Sequence, residues 1–363
     1  METRQQRGPG LTWTEGNIDS VIDDAILTTS VSYSMDMATE ITVSVLDRNF
    51  EMARRNYFWV TRDVWWTSDT VHGFSEYSYQ GGSKQHVQQL MEIASAGVNQ
   101  GPAASPVWEL QLRTKAIQQM KRDRSRTKEY VDNAATGYVK RTAEEFGLIP
   151  VIQYSNEGHA HFGNFGDIKQ FKYGEERGES TWDVIARLKG SAKGDESDAK
   201  QRTNYVAFEA NGYFFFCSQA WLLGKWGTET ATGGWMNPKT SQRELREFTY
   251  VPAEWPSPAH HLIQLHQIPN IRRSDNDPLE VTGSMQVDRA NGTSLRPGMT
   301  IHLTLKDDTG APIDGLGGFF LIDRVDYTQM SSDSVSVNFR SPERAEGYIR
   351  EYALEGMTSA TRP

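Results

Sequence analysis

Residues 32–46 read SYSMDMATEITVSVL. Apolar and polar side chains alternate there, with Ile41, Val43 and Val45 on one face and Thr42 and Ser44 on the other. That period of two is what a half-buried antiparallel strand requires. The pattern predicts a strand from Val31 to Leu46 and makes β structure the frame for the rest of the chain. Beyond Asp47 an aromatic cluster follows, Tyr57, Phe58, Trp59, Trp65 and Trp66, broken by Arg62 and Asp63 and running into the region His72 to Tyr79. These residues predict further strands that close a first β unit. Trp59, Trp65 and Trp66 suit a core and an interface equally, because aromatics are enriched in both.

The character then changes. Between about Ser83 and Gly147, first Leu90, Ile93 and Ala94, then Val107, Leu110, Thr114, Ile117 and Met120, recur at three- and four-residue spacing, which predicts helices. Another helix is expected from about Tyr130 to Phe146, stopped by Gly147, with extended structure resuming at Leu148 to Tyr154. Ser180 to Leu188 reads as a short capped helix that buries Val184, Ile185 and Leu188. Gly190 to Lys200 reads as an exposed loop. Ala210-Asn211-Gly212, between Tyr205–Phe208 and Tyr213–Phe216, is a hairpin signal, since Asn and Gly tolerate positive φ.

From Phe248 onward strands dominate: Val281 to Val287, Met299 to Leu305, Phe319 to Tyr327 and Ser334 to Phe339, with turns at Asn291-Gly292 and Thr309-Gly310. Such spacing suits a small barrel or sandwich, and Glu343 to Ala353 is expected to add a terminal helix. No repeat of solenoid length is visible, and the two β-rich ends are compatible with two copies of one architecture.

At 363 residues the chain has room for two or three folded units, and 37% hydrophobic with 23% charged residues is a globular composition. Its 38 basic and 47 acidic residues give a net charge of −9, which disfavours coating nucleic acid. Cys217 is the single cysteine, so neither an internal disulfide framework nor a thiolate zinc cage is available. The densest apolar stretches, Tyr213 to Cys217 and Phe319 to Ile322, are too short to span a membrane. METRQQRGPG at the start has no apolar run behind it, so it does not read as a secretory signal.

Motifs for chemistry are sparse. There is no GxxxxGK[ST] loop, no HExxH helix, no GxSxG elbow and no spaced cysteine pair. Ser197 and Lys200 form an SxxK in a polar loop without companion motifs. His159 and His161 would project to one side of a strand and offer two metal ligands, yet a site needs a complete set. His260, His261 and His266 meet the same objection. Arg113 to Lys128 holds seven basic residues and one acid, Asp123, the composition of a solvated helix end or a contact with an acidic neighbour. No cofactor is implied.

Taken in order, several short motifs resemble the baseplate hub proteins of tailed phages, minor tail proteins related to late control protein D. The series starts with Leu46-Asp47-Arg48 and Tyr130-Val131, the latter opening a helix that ends Glu145-Phe146-Gly147-Leu148. Next come Ser180-Thr181-Trp182-Asp183 before Val184-Ile185-Ala186-Arg187-Leu188, and the hairpin Phe208-Glu209-Ala210-Asn211-Gly212-Tyr213-Phe214-Phe215. Gly283-Ser284-Met285, Val287-Asp288-Arg289, Leu295-Arg296-Pro297-Gly298-Met299, Leu321-Ile322-Asp323-Arg324-Val325 and Ser341-Pro342 complete it. The likeness extends loosely over nearly the whole chain, and its specificity lies in the colinear order.

The resemblance implies an α+β, β-dominated fold with two small hub-type β-barrels and an inserted α+β region. The first barrel would draw chiefly on 1–80, the insertion on 81–245 with strands returning to the first barrel, and the second barrel and tail on 246–363. No room is left for a lytic C-terminal domain. It also implies a homotrimeric ring with pseudo-sixfold symmetry that adapts a sixfold tail tube to a threefold tip. The implied partners are the tail tube or distal tail protein ring, the tape measure protein and peripheral tail-tip or fibre proteins. DNA would pass through the lumen without specific binding, at the tip of a virion tail assembled in the host cytoplasm, and no enzymatic step is expected. Three chains would carry −27, a net acidic lumen with the Arg113 to Lys128 stretch outside. The alternatives are a distal-tail protein or host-wall carbohydrate-binding adhesin, and a cell-wall hydrolase in the middle region.

Overall fold

The computed structural model describes residues 10–13, 25–54, 58, 63–67, 88–100, 105–124, 135–152, 179–192, 204–219, 222, 231–236, 243–248, 253–255, 269–273, 280–293, 295–303, 318–329 and 334–343. In chain order the first part holds β1 (Gly10–Trp13), β2 (Ile26–Ser34), β3 (Glu40–Leu46), a short α1 (Glu51–Arg54), β4 (Asp63–Thr67), β5 (Gln88–Gln100) and β6 (Pro106–Thr114). The middle holds α2 (Lys115–Arg122), α3 (Ala135–Glu145), β7 (Ile149–Ile152), α4 (Thr181–Ser191), β8 (Tyr205–Ala210), β9 (Tyr213–Ser218), β10 (Ala231–Met236) and β11 (Arg243–Phe248). The last part holds β12 (Ala253–Trp255), β13 (Asn270–Arg273), β14 (Val281–Asp288), a short α5 (Arg289–Gly292), β15 (Thr300–Leu303), β16 (Gly318–Gln329) and β17 (Ser334–Arg340).

The opening stretch forms a hairpin rather than one strand. Alternation holds through Tyr33 and resumes at Ile41, but between them Met37 is exposed while Ala38 and Thr39 are both buried. The chain reverses there, with the Ser34 side chain accepting from the Asp36 N–H. The three- and four-residue spacing expected to form helices from Leu90 to Thr114 is carried by β5 and β6 instead. In β6, Trp108, Leu110, Leu112 and Thr114 are buried at a strict spacing of two. In β5 a bulge between Ile93 and Ser95 adds one residue, so the inward side chains Met91, Ile93 and Ala96 mimic a helical period. The helical pattern holds only from Lys115, where α2 buries Ala116, Ile117 and Met120.

Twelve strands form one sheet, in the order β1-β4-β5-β6-β3-β2-β16-β17-β14-β13, with β15 also paired to β16 and β12 to β15. Among the described residues these strands close no barrel. They do contain an internal repeat. The N-terminal six strands lie in the order β1-β4-β5-β6-β3-β2, and the C-terminal six in the order β12-β15-β16-β17-β14-β13. Ranked by position in the chain, the two orders are the same. Neighbours are antiparallel in both repeats except that β12 runs parallel to β15 where β1 is antiparallel to β4.

Details of register repeat as well. The bulge at Ile93/Ser95 where β5 meets β6 recurs at Ile322/Arg324 where β16 meets β17. A short helix follows β3 in one repeat and β14 in the other, each beginning near an Asp-Arg pair, Asp47-Arg48 and Asp288-Arg289. Where the first repeat has Ile41 opposite Leu112, the second has Gly283 opposite Phe339, so a large ring fills the room left by a missing side chain. A Cβ on Gly283 would lie 2.3 Å from the Phe339 ring and 2.7 Å from the Asn270 carbonyl oxygen.

Both repeats bury their inward faces in one apolar cluster that includes Val31, Tyr33, Val43, Leu110, Val325 and Val337. The middle of the chain packs separately. β7, β9 and β8 form a small sheet, and Phe214 and Phe216 lie against Ile117 and Met120 of α2 and Val184, Ile185 and Leu188 of α4. A third cluster joins Phe208 and Phe215 of the hairpin to Met35 at the β2–β3 turn and Leu321 of β16, which seats the small sheet where the two repeats meet.

Candidate assembly interface

Several of the described motifs in the colinear series are joints, while Tyr130-Val131 lies outside the described residues. Asp47 is buried and accepts from the backbone N–H groups of Met52 and Ala53, both at 2.9 Å, and from the Trp108 indole at 3.1 Å. It therefore fixes the turn out of β3 to β6. Ser180 caps α4 with a reciprocal pair of bonds to Asp183, whose pKa is lowered chiefly by the Ser180 hydroxyl. α3 ends at Gly147, φ 77°, with the Leu148 N–H donating to Ala143. Asn211 and Gly212 turn the β8–β9 hairpin at φ 53° and 82°, as a two-residue loop with both φ positive requires.

Glu209 is fully buried and receives four donors. Gln89 Nε2 and the Gly212 N–H bond to Oε1, and the Thr114 hydroxyl and the Thr39 N–H bond to Oε2. Burial nevertheless raises its pKa, because desolvation penalises the charged form. These contacts tie the hairpin to β5, β6 and the start of β3. Arg296, in the Leu-Arg-Pro-Gly-Met segment, is also fully buried. Its Nη1 donates to the carbonyls of Thr293 and Leu295, and its guanidinium lies 4.2 Å from the Tyr33 ring centre. A loop of the second repeat is thus clamped onto β2 of the first.

Four basic residues of the Arg113 to Lys128 stretch are engaged within the chain, while Arg126 and Lys128 lie outside the described residues. Arg113 pairs with Glu40 at 3.0 Å, Lys115 with Asp63 and Arg122 with Glu92. Lys121 lies 5.6 Å from the Trp182 ring centre, and burial lowers its pKa. Of the tryptophans left open between core and interface, Trp66 is core and donates to the Tyr33 hydroxyl. Trp65 is half-buried, and Trp59 lies outside the described residues. His159, His161, His260, His261, His266, Ser197, Lys200 and the expected helix from Glu343 to Ala353, beyond Glu343 itself, lie outside them too. No cluster of three or more His, Cys, Asp or Glu suited to a metal occurs among the described residues, and no described helix is long and apolar enough to cross a membrane.

The repeats join along one edge of β16. Its first residues, Gly318 to Leu321, pair with β15, and Arg324 to Gln329 pair with β2. On the inward side of this seam Tyr33 meets Val325 and Val31 meets Tyr327. The outward side is a groove in which Ser30, Ser32, Ser34, Thr42, Ser334 and Ser336 stand beside the charged Glu40, Arg324 and Asp326, with Ala38 and the exposed Met37 adding an apolar end. That polar character continues outward through Ser95, Asn99, Glu109 and Gln111. Charges on this face are largely paired, Arg113 with Glu40 and Arg324 with Asp326 at 2.8 Å, so it is hydroxyl-rich and balanced rather than acidic.

Besides the outer edges of the short β1 and β12, two edges of this sheet have no ladder partner among the described residues. One is the outer edge of β13. The other is the outer edge of β5 beyond Glu92, where pairing with β4 stops. Ala94, Ser95, Gly97, Val98 and Asn99 are exposed there, as are Asn270, Arg272 and Arg273 on β13. Two open edges at opposite ends of a repeated sheet are what head-to-tail assembly requires.

No protein-family model matches this chain, and neither does any curated protein. Solved structures do. A tail protein from Neisseria meningitidis MC58 aligns with TM-score 0.45 and 11% identity over 90% of this chain and 94% of that one. Phage tail proteins are among this chain's structural neighbours. The 43 kDa tail protein of prophage MuSo2 from Shewanella oneidensis aligns at 0.43 and 11%, over 88% of this chain and 94% of that one. An E. coli component of the type VI secretion system, described as similar to T4 bacteriophage tail proteins gp27 and gp5, aligns at 0.47 and 13%, over 93% and 78%. At these identities the chain's own geometry has to carry the functional reading.

Proposed function

We propose that the chain is a structural hub at the tip of a phage-type tail, in which three copies form a ring. The repeated six-strand order carries this reading. One chain holds two copies of the same sheet topology, so three chains supply six near-equivalent elements and can seat on a sixfold tube while keeping a threefold tip. The family resemblance points the same way. The repeats correspond to the two hub barrels, which close through contacts the single chain does not make. Residues around 10–114 and 253–340 build them, and the α+β section between them packs over their seam.

In this reading the groove face of the sheet lines the channel. Hydroxyl and amide side chains with mutually paired charges offer DNA phosphates no concentrated positive field, so the genome slides. This replaces the expected acidic lumen with a neutral one, since Arg113 lies on that face but is held by Glu40. The tube or distal-tail ring would dock on one rim, with the tape measure end and peripheral fibre proteins at the other. The protein acts through shape and symmetry rather than turnover.

Native mass measurement with imaging of the same untagged sample tests the proposal. Three chains of 41.0 kDa, about 123 kDa, in a ring with a central hole are expected. A hexameric ring would overturn the threefold assignment and return the distal-tail alternative.

A further inference from the structure

The seam inside one chain is a template for the seam between chains. In that seam the first strand of the β2–β3 hairpin lies along the second half of β16, with Val31 opposite Tyr327, Ser32 opposite Asp326 and Tyr33 opposite Val325. By the repeat, β13 is the counterpart of β2 and β5 is the counterpart of β16. Each of those counterparts holds one of the edges without a ladder partner. They stand near opposite ends of the strand order, so one chain presents them outward in two directions.

The ladders fix which residues correspond. The shared bulge equates Ile93 with Ile322 and Ser95 with Arg324, and therefore Gly97 with Asp326 and Val98 with Tyr327. Ile93 pairs with Leu112, which pairs with Ile41, which pairs with Val31. Ile322 pairs with Phe339, which pairs with Gly283, which pairs with Ile271. Ile271 is thus the counterpart of Val31.

Resting on the hub reading, we propose that β13 of one copy adds antiparallel to the outer edge of β5 in the next copy, with Ile271 opposite Val98 and Arg272 opposite Gly97. Two features of the free chain fit this occupant. Val98 is 51% exposed, whereas its counterpart Tyr327, which β2 adjoins, is 5% exposed. A neighbouring strand bearing Ile271 covers that apolar side chain as Val31 covers Tyr327. Gly97 pairs with Glu109 of β6, and a Cβ at Gly97 would meet nothing within 4 Å. Arg272 therefore reaches across a side-chain-free position toward the exposed Glu109, two strand spacings of about 4.8 Å away. Main-chain bonds along the added strand supply the affinity and alternate side chains the register. The contact is head to tail, so it closes a ring when the rotation per chain is one third of a turn.

Cysteine pairing tests the register. Cys217, the chain's own cysteine, is buried, so introduced thiols dominate mild oxidation. Directly opposed Cβ atoms about 4.5–5.5 Å apart are close enough to bridge with a small adjustment. Oxidised Val98→Cys/Ile271→Cys protein is expected to give covalent dimers and trimers without reductant. Either single variant, or the shifted pair Val98→Cys/Arg273→Cys, is expected to give little of either. A second assay avoids introduced thiols. Arg272→Glu and Glu109→Arg should each raise the concentration for half-assembly by about fivefold, and the double swap should restore it. A trimer by native mass that neither cross-links nor responds to the swap overturns the strand pairing and leaves the hub reading standing. A protein that stays monomeric at every concentration overturns both.

Discussion

Glu209 shows how much one side chain can hold. Four donors converge on it, one from its own hairpin and three from separate parts of the first repeat. Glu209→Ala leaves several of them buried without acceptors, at about 1–3 kcal/mol each. We expect a loss of roughly 3 kcal/mol or more in the unfolding free energy read from denaturant curves, while a surface substitution such as Glu144→Ala stays within about 0.5 kcal/mol. The pH dependence has a definite sign. Burial raises the folded-state pKa above the unfolded value, so between the two the native state holds more protons. This group's contribution to stability then falls as pH rises through that window and is greatest below it. Glu209→Gln should remove that slope, read from unfolding curves across the acid range. Cys217 is the parallel case for a thiol: burial pushes its pKa well up, and we expect a thiol reagent to label it only after unfolding. Glu209 appeared in the sequence only as one letter of a hairpin motif. Its partners Gln89, Thr114 and Thr39 lie up to 170 residues away, and no local pattern joins them.

Elements were legible where local chemistry decides them. The Asn211-Gly212 turn, the Ser180 cap and the Gly147 stop all stand where short-range signals put them, because each depends on the conformational freedom or hydrogen bonding of one or two residues. Gly212→Ala, at φ 82°, is expected to cost about 1 kcal/mol by thermal unfolding. β5 was misread for an equally physical reason: the bulge turns a spacing of two into three, and a window of residues cannot distinguish that from a helix. β6 carries a clean alternation that the neighbouring helical spacing from Ile117 and Met120 obscured. Gly283 is the element-scale weak point of the second repeat. Gly283→Ala drives a methyl into Phe339 and the β13 backbone, so it should lower stability and, if β13 is the joining strand, weaken assembly more than an equally destabilising change such as Ile117→Val. Comparing denaturation with the concentration dependence of the ring separates the two effects.

At the scale of the molecule, the two β-rich ends were visible in the sequence as possible copies of one architecture, but the strand-by-strand correspondence between them was not. The repeats share strand order and bulge position while Ile41 faces Leu112 in one and Gly283 faces Phe339 in the other. One large ring beside a glycine stands where two branched side chains stand in the other repeat, which erases residue-by-residue similarity and leaves topology intact. The polar groove face had no motif either, since Ser and Thr at alternate strand positions signify only a face that is not core. Its consequence is testable on the assembled protein. If that face lines the channel, Ser32→Arg with Ser336→Arg should leave the ring intact and convert it into a salt-sensitive binder of duplex DNA, whereas the unmodified ring should bind weakly at all salt concentrations.

The seam also has a schedule. Ser30 bonds to Thr328 across 298 residues, so while the protein is being made the edge of β2 waits for a strand that the ribosome has not yet reached. At about 5–20 residues per second that delay is roughly 15–60 s. Throughout it the nascent first repeat exposes an edge whose proper partner on another, finished chain is already occupied by that chain's own β2. Neighbouring ribosomes on one message would hold many such edges close together, and a fragment that stops before β16 would keep its edge open permanently. Premature release is therefore the event most apt to seed wrong pairing, and the time spent translating the middle section sets how long each chain depends on protection by chaperones.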